Sequence, residues 1–340
     1  MRLLLVAHPA CADHQAGALH PERPARLAAA LEGLRDPRHG ARVIELEAPR
    51  AARADLELVH RAGYVLTLER FCASGGGQLD ADTRVGVASW EAALRAAGAG
   101  PAAAEALRAG SADLAFLAVR PPGHHALSDR AMGFCLFNNI AITAGRLAQE
   151  GERVAIIDWD VHHGNGTQAV FYHRADVLYL SLHEFPAYPG SGWLDETGEG
   201  EGLGATFNFP FPTGTGGDVY RKAFDRVVEP LLRRFEPGWV LVSAGYDAHR
   251  ADPLAGLALV EADYAAMAAD LAGVTPTGRT IFFLEGGYDL DALQGSVTST
   301  VAGATGRRVP DPAEPTTSPE AAWTILDRAT EAAGCRWDLG

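Results

Sequence analysis

The sequence predicts an α/β fold built on a mainly parallel sheet, and three observations carry that prediction. Eight short β-rich runs alternate with helical segments along the 340 residues. Several runs are continuously apolar, such as "LAFLAV" at 114–119, "VAIIDW" at 154–159 and "WVLVSA" at 239–244. Continuous rather than alternating hydrophobicity marks strands buried on both faces, with helices making right-handed crossovers. No linker divides the alternating pattern convincingly, so residues 1–340 read as a single domain.

The elements follow in order. The first strand, 3–7, is too short for a signal-peptide core and runs into His8-Pro9. A helix is expected at 23–34, behind Pro21, then a strand at 43–47 and a long Ala-rich helix at 90–109. The strand at 114–119 precedes a helix at 138–150, where Ile140, Ala144 and Leu147 recur at helical spacing. Strands at 154–159, 177–182 and 205–210 lead to a helix at 220–235. The last alternations are a strand at 239–244, a helix at 261–272, a strand at 280–285 and a helix at 290–304. The segments "CASGGGQLDADT" (72–83) and "LDETGEGEGLGA" (194–205) read as functional surface loops within this pattern. Residues 306–319 are Pro-rich and cross to a terminal helix at 319–333.

Composition narrows the class. Hydrophobic residues make up 47% and charged residues 21%, the balance of an ordinary globular chain. Acidic residues outnumber basic ones 43 to 29, a formal net charge of −14. That opposes direct nucleic-acid binding and suits cationic substrates or basic peptides. Cys11, Cys72, Cys135 and Cys335 form no C-x-x-C pair, which speaks against a disulfide framework or a cysteine-rich zinc site. Apolar runs fall short of the roughly 18–20 residues a membrane span needs. The expected setting is cytoplasmic and reducing.

Four polar clusters share one position: each follows a predicted strand. They are "RPPGHHA" with His124 and His125, "DWDVHHGNG" with Asp158, Asp160, His162 and His163, "GYDAHRADP" with Asp247, and "GGYDL" with Tyr288. Ligands of open parallel sheets bind beyond the carboxyl ends of the strands. Asp158, Asp160 and His162 project to one side if extended geometry continues past the strand. Asp160 and His162 would share a metal with Asp247, three N/O ligands leaving a position for water or substrate, as in a catalytic zinc site. The bland reading is a solvated or buried polar strand end. The histidine pair then suits general acid–base work, although a single histidine is more often a structural hydrogen-bonding group. A binuclear site lacks further ligands: Gly164 stands four residues after Asp160, His249 two after Asp247, and Asp252 before Pro253 suits a turn cap equally. Tyr288 after Gly286-Gly287 is placed to donate to a polarised carbonyl, with packing as the alternative.

Taken together these residues resemble the histone deacetylase family, in wording nearest its class II and bacterial deacetylase-like or acetylpolyamine amidohydrolase members. The strings "HPERPARL" (20–27), "RPPGHHA", "GFCLFNN" (133–139), "DWDVHHGNGTQ" (158–168), "YPGSG" (188–192), "SAGYDAHRADPLAG" (243–256) and "LEGGYDL" (284–290) occur in the family's order. They cover roughly residues 1–305. The resemblance implies the arginase/deacetylase fold, an eight-stranded sheet sandwiched by helices, and one zinc on Asp160, His162 and Asp247. It implies that His125 is the general base and acid, that His124 is its electrostatic partner held by Asp158, and that Tyr288 polarises the carbonyl. Asn165 would stand behind His125, where several members carry Asp. Structural K+ or Na+ is implied at Asp158, Asp160, His162, Ser181 and Leu182, and a second ion near Phe171, Val177 and Tyr220. Gly133, Phe134 and Tyr188 match the lining of an acyl-lysine channel, with Arg26 deeper in the pocket. Without the resemblance, Phe134 reads as core packing.

The substrate implied is an acylated lysine in a protein or peptide, or a small acetylated amine. Leu254 stands where polyamine-specific relatives carry an acidic gatekeeper, which favours acyl-lysine. A catalytically silent acyl-lysine-binding protein is the minor alternative. The sequence leaves homo-oligomerisation open.

Overall fold

In a computed structural model, residues 1–307 and 316–337 are described. The strands are β1 (Arg2–Ala7), β2 (Arg42–Glu47), β3 (Leu114–Ala118), β4 (Val154–Asp158), β5 (Val177–Glu184), β6 (Thr206–Phe211), β7 (Trp239–Ala244) and β8 (Thr280–Leu284). They form one sheet in the order β2-β1-β3-β8-β7-β4-β5-β6, with every neighbouring pair parallel. The six strands from β3 to β8 are buried at every residue, as the nearly continuous apolar runs of β3, β4, β7 and β8 require. β2 is the exception. It lies at one edge, and its exposed positions are Arg42, Glu45 and Glu47, charges that blunt an open edge.

The longer helices are α1 (Pro24–Arg35), α2 (Ala62–Ala73), α3 (Ser89–Arg108), α4 (Asn139–Gln149), α5 (Asn165–Phe171), α6 (Gly217–Ala223), α7 (Glu229–Phe235), α8 (Glu261–Val274), α9 (Leu290–Ala304) and α10 (Glu320–Trp337). They cover both faces of the sheet. Phe283 of β8 packs beside Gly100 of α3, whereas Phe282 lies 6.0 Å from Trp159, which in turn meets Tyr264 of α8. Adjacent residues of a strand point to opposite faces, so α3 and α8 lie on opposite sides. α9 packs between α8 and α1, and α10 packs against the other edge strand, β6. The result is a single α/β domain with a central, mainly parallel sheet.

Most of the expected elements are present, with ends shifted by a few residues. The helix expected at 220–235 is interrupted: α6 and α7 are joined by a π-helical stretch, Phe224–Val228, just before Pro230. Proline has no N–H to give and its ring crowds the preceding turn, so regular α geometry is relaxed there. α2 was not expected, although Val65, Leu68 and Cys72 line one buried face at helical spacing. The Pro-rich crossing expected at 306–319 falls largely on 308–315, outside the described residues. All four cysteines are free, three of them buried. Among the described residues no helix is long and apolar enough to cross a membrane.

Candidate active site

The four polar clusters follow β3, β8, β7 and β4, which are consecutive strands at the centre of the sheet. Parallel pairing puts all four carboxyl ends on one side, so residues distant in sequence meet in one pocket floor.

Asp160, His162 and Asp247 each bring one ligand atom within 4.8 Å of the others. They are not set there by a continuing strand. β4 ends at Asp158, and carboxylate-to-backbone bonds shape the next turn: Asp160 N donates to Asp158 Oδ1 (3.2 Å) and His162 N to Asp160 Oδ1 (2.9 Å). Asp247 Oδ1 accepts from Val161 N at 3.0 Å, which ties β7's loop to β4's. His162 Nδ1 lies 3.2 Å from both Asp160 Oδ1 and Asp247 Oδ2. Asp247 Oδ2 is buried, yet its contact with the imidazole is out of line, leaving it without a hydrogen-bond partner. Two buried carboxylates around one imidazole nitrogen, one oxygen of them orphaned, are a donor set that fits a divalent cation with N/O preference. Gly286 is needed beside it, because a Cβ there would collide with Asp247 Oδ2.

The histidine pair is buried and its two members face different surroundings. His124 Nδ1 is 3.0 Å from Asp158 Oδ2, and its ring lies 3.8 Å from Asp160. Burial opposes its charge, but Asp158, Asp160 and Glu285 outweigh that and lift its pKa to about 10. His125 Nδ1 is 2.8 Å from Asn165 Oδ1, at the start of α5. Burial holds His125 well below the ordinary histidine range, and His124 and His162 push the same way. Two adjacent imidazoles, 4.0 Å between centroids and tilted by 44°, are thus driven apart, one toward the charged and one toward the neutral form.

Tyr288 follows β8 and is buried, with its ring 6.0 Å from Phe134 and the Arg26 guanidinium 4.8 Å from its centroid. Burial raises its phenol well above the usual value and keeps it a donor. Arg26 lies beneath, donating to the carbonyls of Gly287 (2.6 Å) and Glu285 and pairing with Glu22 at 3.1 Å. Gly133 and Phe134 both adopt positive φ, 56° and 66°. A Cβ at Gly133 would strike the His125 ring. Tyr188 packs edge-on to His125 at 5.1 Å and is 38% exposed, and Leu254 is 43% exposed. Both are carried on loops beyond the carboxyl ends of strands, Tyr188 after β5 and Leu254 after β7.

Ser181 pairs in register with Asp158 across β5 and β4. Tyr220, grouped by resemblance with Phe171 and Val177, sends its hydroxyl to the Leu182 carbonyl at 3.1 Å.

The sequence reading missed several supporting groups. Glu285 Oε2 accepts from Gly123 N (2.7 Å) and His124 N (3.2 Å), holding the turn that carries the histidine pair. Burial pushes its pKa up to about 7. Tyr179 places its hydroxyl 3.2 Å from Asp158 Oδ2. A buried acid closing an apolar strand was the one available signal for Glu285.

A central parallel sheet with a carboxylate–imidazole cluster and paired histidines at its carboxyl end is the architecture of arginase/deacetylase-type hydrolases. The family profile described as histone deacetylase domain matches residues 20–304, and the chain belongs to the histone deacetylase family. It is 43% identical over 291 residues to a histone deacetylase-like amidohydrolase of Pseudomonas aeruginosa, covering 83% of this chain and 74% of that protein. It is 39% identical over 293 residues to a probable deacetylase of Archaeoglobus fulgidus, covering 84% and 81%. The crystal structure of the HDA15 HD domain superposes with a TM-score of 0.90 at 34% identity, over 99% of this chain and 96% of that one. The family is one of deacetylases and amidohydrolases, hydrolases that act on acylated amines.

Proposed function

We propose that the protein is a zinc-dependent amidohydrolase that removes acetyl or another short acyl group from N-ε-acyl-lysine in proteins or peptides. The observation that carries this reading is the orphaned Asp247 Oδ2 facing Asp160 and His162, next to histidines of opposite protonation tendency. Asp160, His162 and Asp247 would hold a zinc ion, which when bound would polarise the amide carbonyl and acidify a water.

The chain's own residues do the rest. His125 donates Nδ1–H to Asn165 Oδ1 and so presents Nε2 as a base. It takes the proton of the attacking water as the new C–O bond forms. It returns that proton to the amine nitrogen as the C–N bond breaks. His124 stays protonated, its charge compensated by Asp158, and steadies the negative charge that develops nearby. Tyr288 donates its hydroxyl to the forming oxyanion. Phe134 and Tyr188 enclose the acyl-lysine stem and exclude water. Structural K+ or Na+ would sit on the Asp158, Asp160, His162, Ser181 and Leu182 side of the floor. The reduced, mostly buried cysteines suit a cytoplasmic setting.

The mouth supports acyl-lysine over acetylpolyamine, because Leu254 offers no charge to a secondary ammonium. Steady-state kinetics on acetyl-lysine peptides and on acetylated polyamines test the choice. Acetyl-lysine peptides are expected to have the higher kcat/KM, and a large preference for polyamines contradicts it.

A further inference from the structure

Tyr288 can act on a carbonyl only if its loop is held, and most backbone groups of that loop have a specific partner. Glu285 N donates to Ala244 O, and Gly286 N to Asp160 Oδ2 at 2.8 Å. The Gly286 carbonyl accepts from Tyr246 N, and the carbonyls of Glu285 and Gly287 accept from Arg26. Two further donors, Tyr288 N (2.6 Å) and Asp289 N (3.4 Å), both go to Asp252 Oδ2.

The other oxygen of the same carboxylate serves the mouth. Asp252 Oδ1 accepts from Leu254 N at 3.0 Å. The turn bearing Leu254 is closed at its far end by Glu184 Oε2, which accepts from Gly256 N at 2.8 Å. It is closed at its near end by Asp252 N, which donates to His249 O at 2.8 Å. Asp252 is itself buried and lies outside the three-residue metal cluster. Among the described residues its side chain is the one carboxylate bonded to both the rim turn and the tyrosine loop. Removing it takes the partner from two N–H groups of the catalytic loop and one of the rim turn. Leu254 is exposed and its N–H can turn to water, but Tyr288 is buried, and an unpaired donor there is not tolerated without movement.

We propose that Asp252 is a positioning residue for Tyr288, and that its carboxylate couples the Leu254 turn at the channel mouth to the loop that presents the oxyanion donor. The coupling rests on the function proposed above. It implies that a bulky acyl-amine pressing on Leu254 shifts the tyrosine loop through a single shared group.

The test uses the full-length, zinc-loaded protein and a fluorogenic acetyl-lysine peptide, with Asp252→Ala, Asp252→Asn, Tyr288→Phe and the Asp252→Ala/Tyr288→Phe double variant. Asp252→Ala is expected to lower kcat about 10- to 100-fold in the parent, but less than about threefold on the Tyr288→Phe background, since residues acting as a unit are not additive. Asp252→Asn, which keeps the shape and one acceptor oxygen, should fall between and covers the case in which the alanine variant does not fold. Hydrogen exchange supplies a readout independent of turnover. The amides of Tyr288, Asp289 and Leu254 should exchange faster in either Asp252 variant, while those of β7 keep their protection. Equal losses of kcat in both backgrounds, or unchanged exchange at Tyr288 and Asp289, would overturn the proposal. Undiminished turnover by Tyr288→Phe alone would instead overturn the oxyanion assignment and the kinetic coupling with it, while exchange would still decide whether Asp252 holds the loop.

Discussion

The floor and the mouth of the pocket are built by opposite means. The floor is made of buried carboxylates and imidazoles on the carboxyl ends of four central strands, and nearly every polar atom there has a named partner. The mouth is made of partly exposed apolar side chains, Tyr188 and Leu254, carried on loops. Strand ends are fixed by a whole sheet of backbone pairing, whereas a loop is fixed by a few side-chain bonds. The chemistry is accordingly written into the part of the molecule least free to change, and substrate choice into the part most free to change.

Substitutions should break this contrast in graded steps. The largest loss belongs to the floor. Asp247→Ala removes a ligand and should lower acetyl-lysine hydrolysis by more than about a thousandfold, with zinc content falling in parallel. Chelating the metal from the unmodified protein should also lower its Tm. Ligand at about 1,000 times its Kd adds about 4 kcal/mol to the folded state, and removing it leaves Asp160 and Asp247 facing each other.

Tyr288→Phe keeps the ring packing against Phe134 and deletes only the hydroxyl. A loss of about 10²- to 10³-fold in kcat, with zinc content unchanged, is expected for one oxyanion donor.

Asn165→Asp moves a pH profile more than a rate. His125 works as a base only when neutral, so activity falls as pH drops through its pKa. That pKa is held below the ordinary histidine value, so the acid limb of kcat/KM lies below pH 6.5. A carboxylate at 165, beside Nδ1, favours the imidazolium and should move that limb upward by about one unit or more. An unchanged limb would remove the assigned contact.

The smallest effect is at the mouth. Leu254→Glu adds an exposed charge, and such pairs are worth less than about 1 kcal/mol. Acetylpolyamine kcat/KM should rise about fivefold at low salt and less at high salt, while kcat for acetyl-lysine peptides stays within about twofold.

The same contrast explains what was legible in the sequence. Buried parallel strands announce themselves as unbroken apolar runs, and the polar strings that follow them contain all three residues of the candidate metal cluster. Their exact setting was not legible: extended alternation does not bring Asp160 and His162 together, since β4 stops at Asp158 and carboxylate-capped turns take over. Glu285 and Tyr179 were missed in their roles because they act on backbone N–H groups or on another side chain across the fold, and such pairs leave no local spacing to read. Asp252 caps the turn through Pro253 as its position suggests, but its bond to Tyr288 N was not legible. Helix α2 was missed because its apolar residues are not confined to one stripe: Leu66 is exposed beside the buried Val65, Leu68 and Cys72.

The account stands on three side chains from two strand ends gripping a single metal ion. The most direct measurement is to titrate metal-free protein with zinc while following acetyl-lysine hydrolysis. Activity should rise linearly and break at one equivalent per chain, with no break in Asp247→Ala. A break at two equivalents, or full activity before any zinc is added, would contradict it.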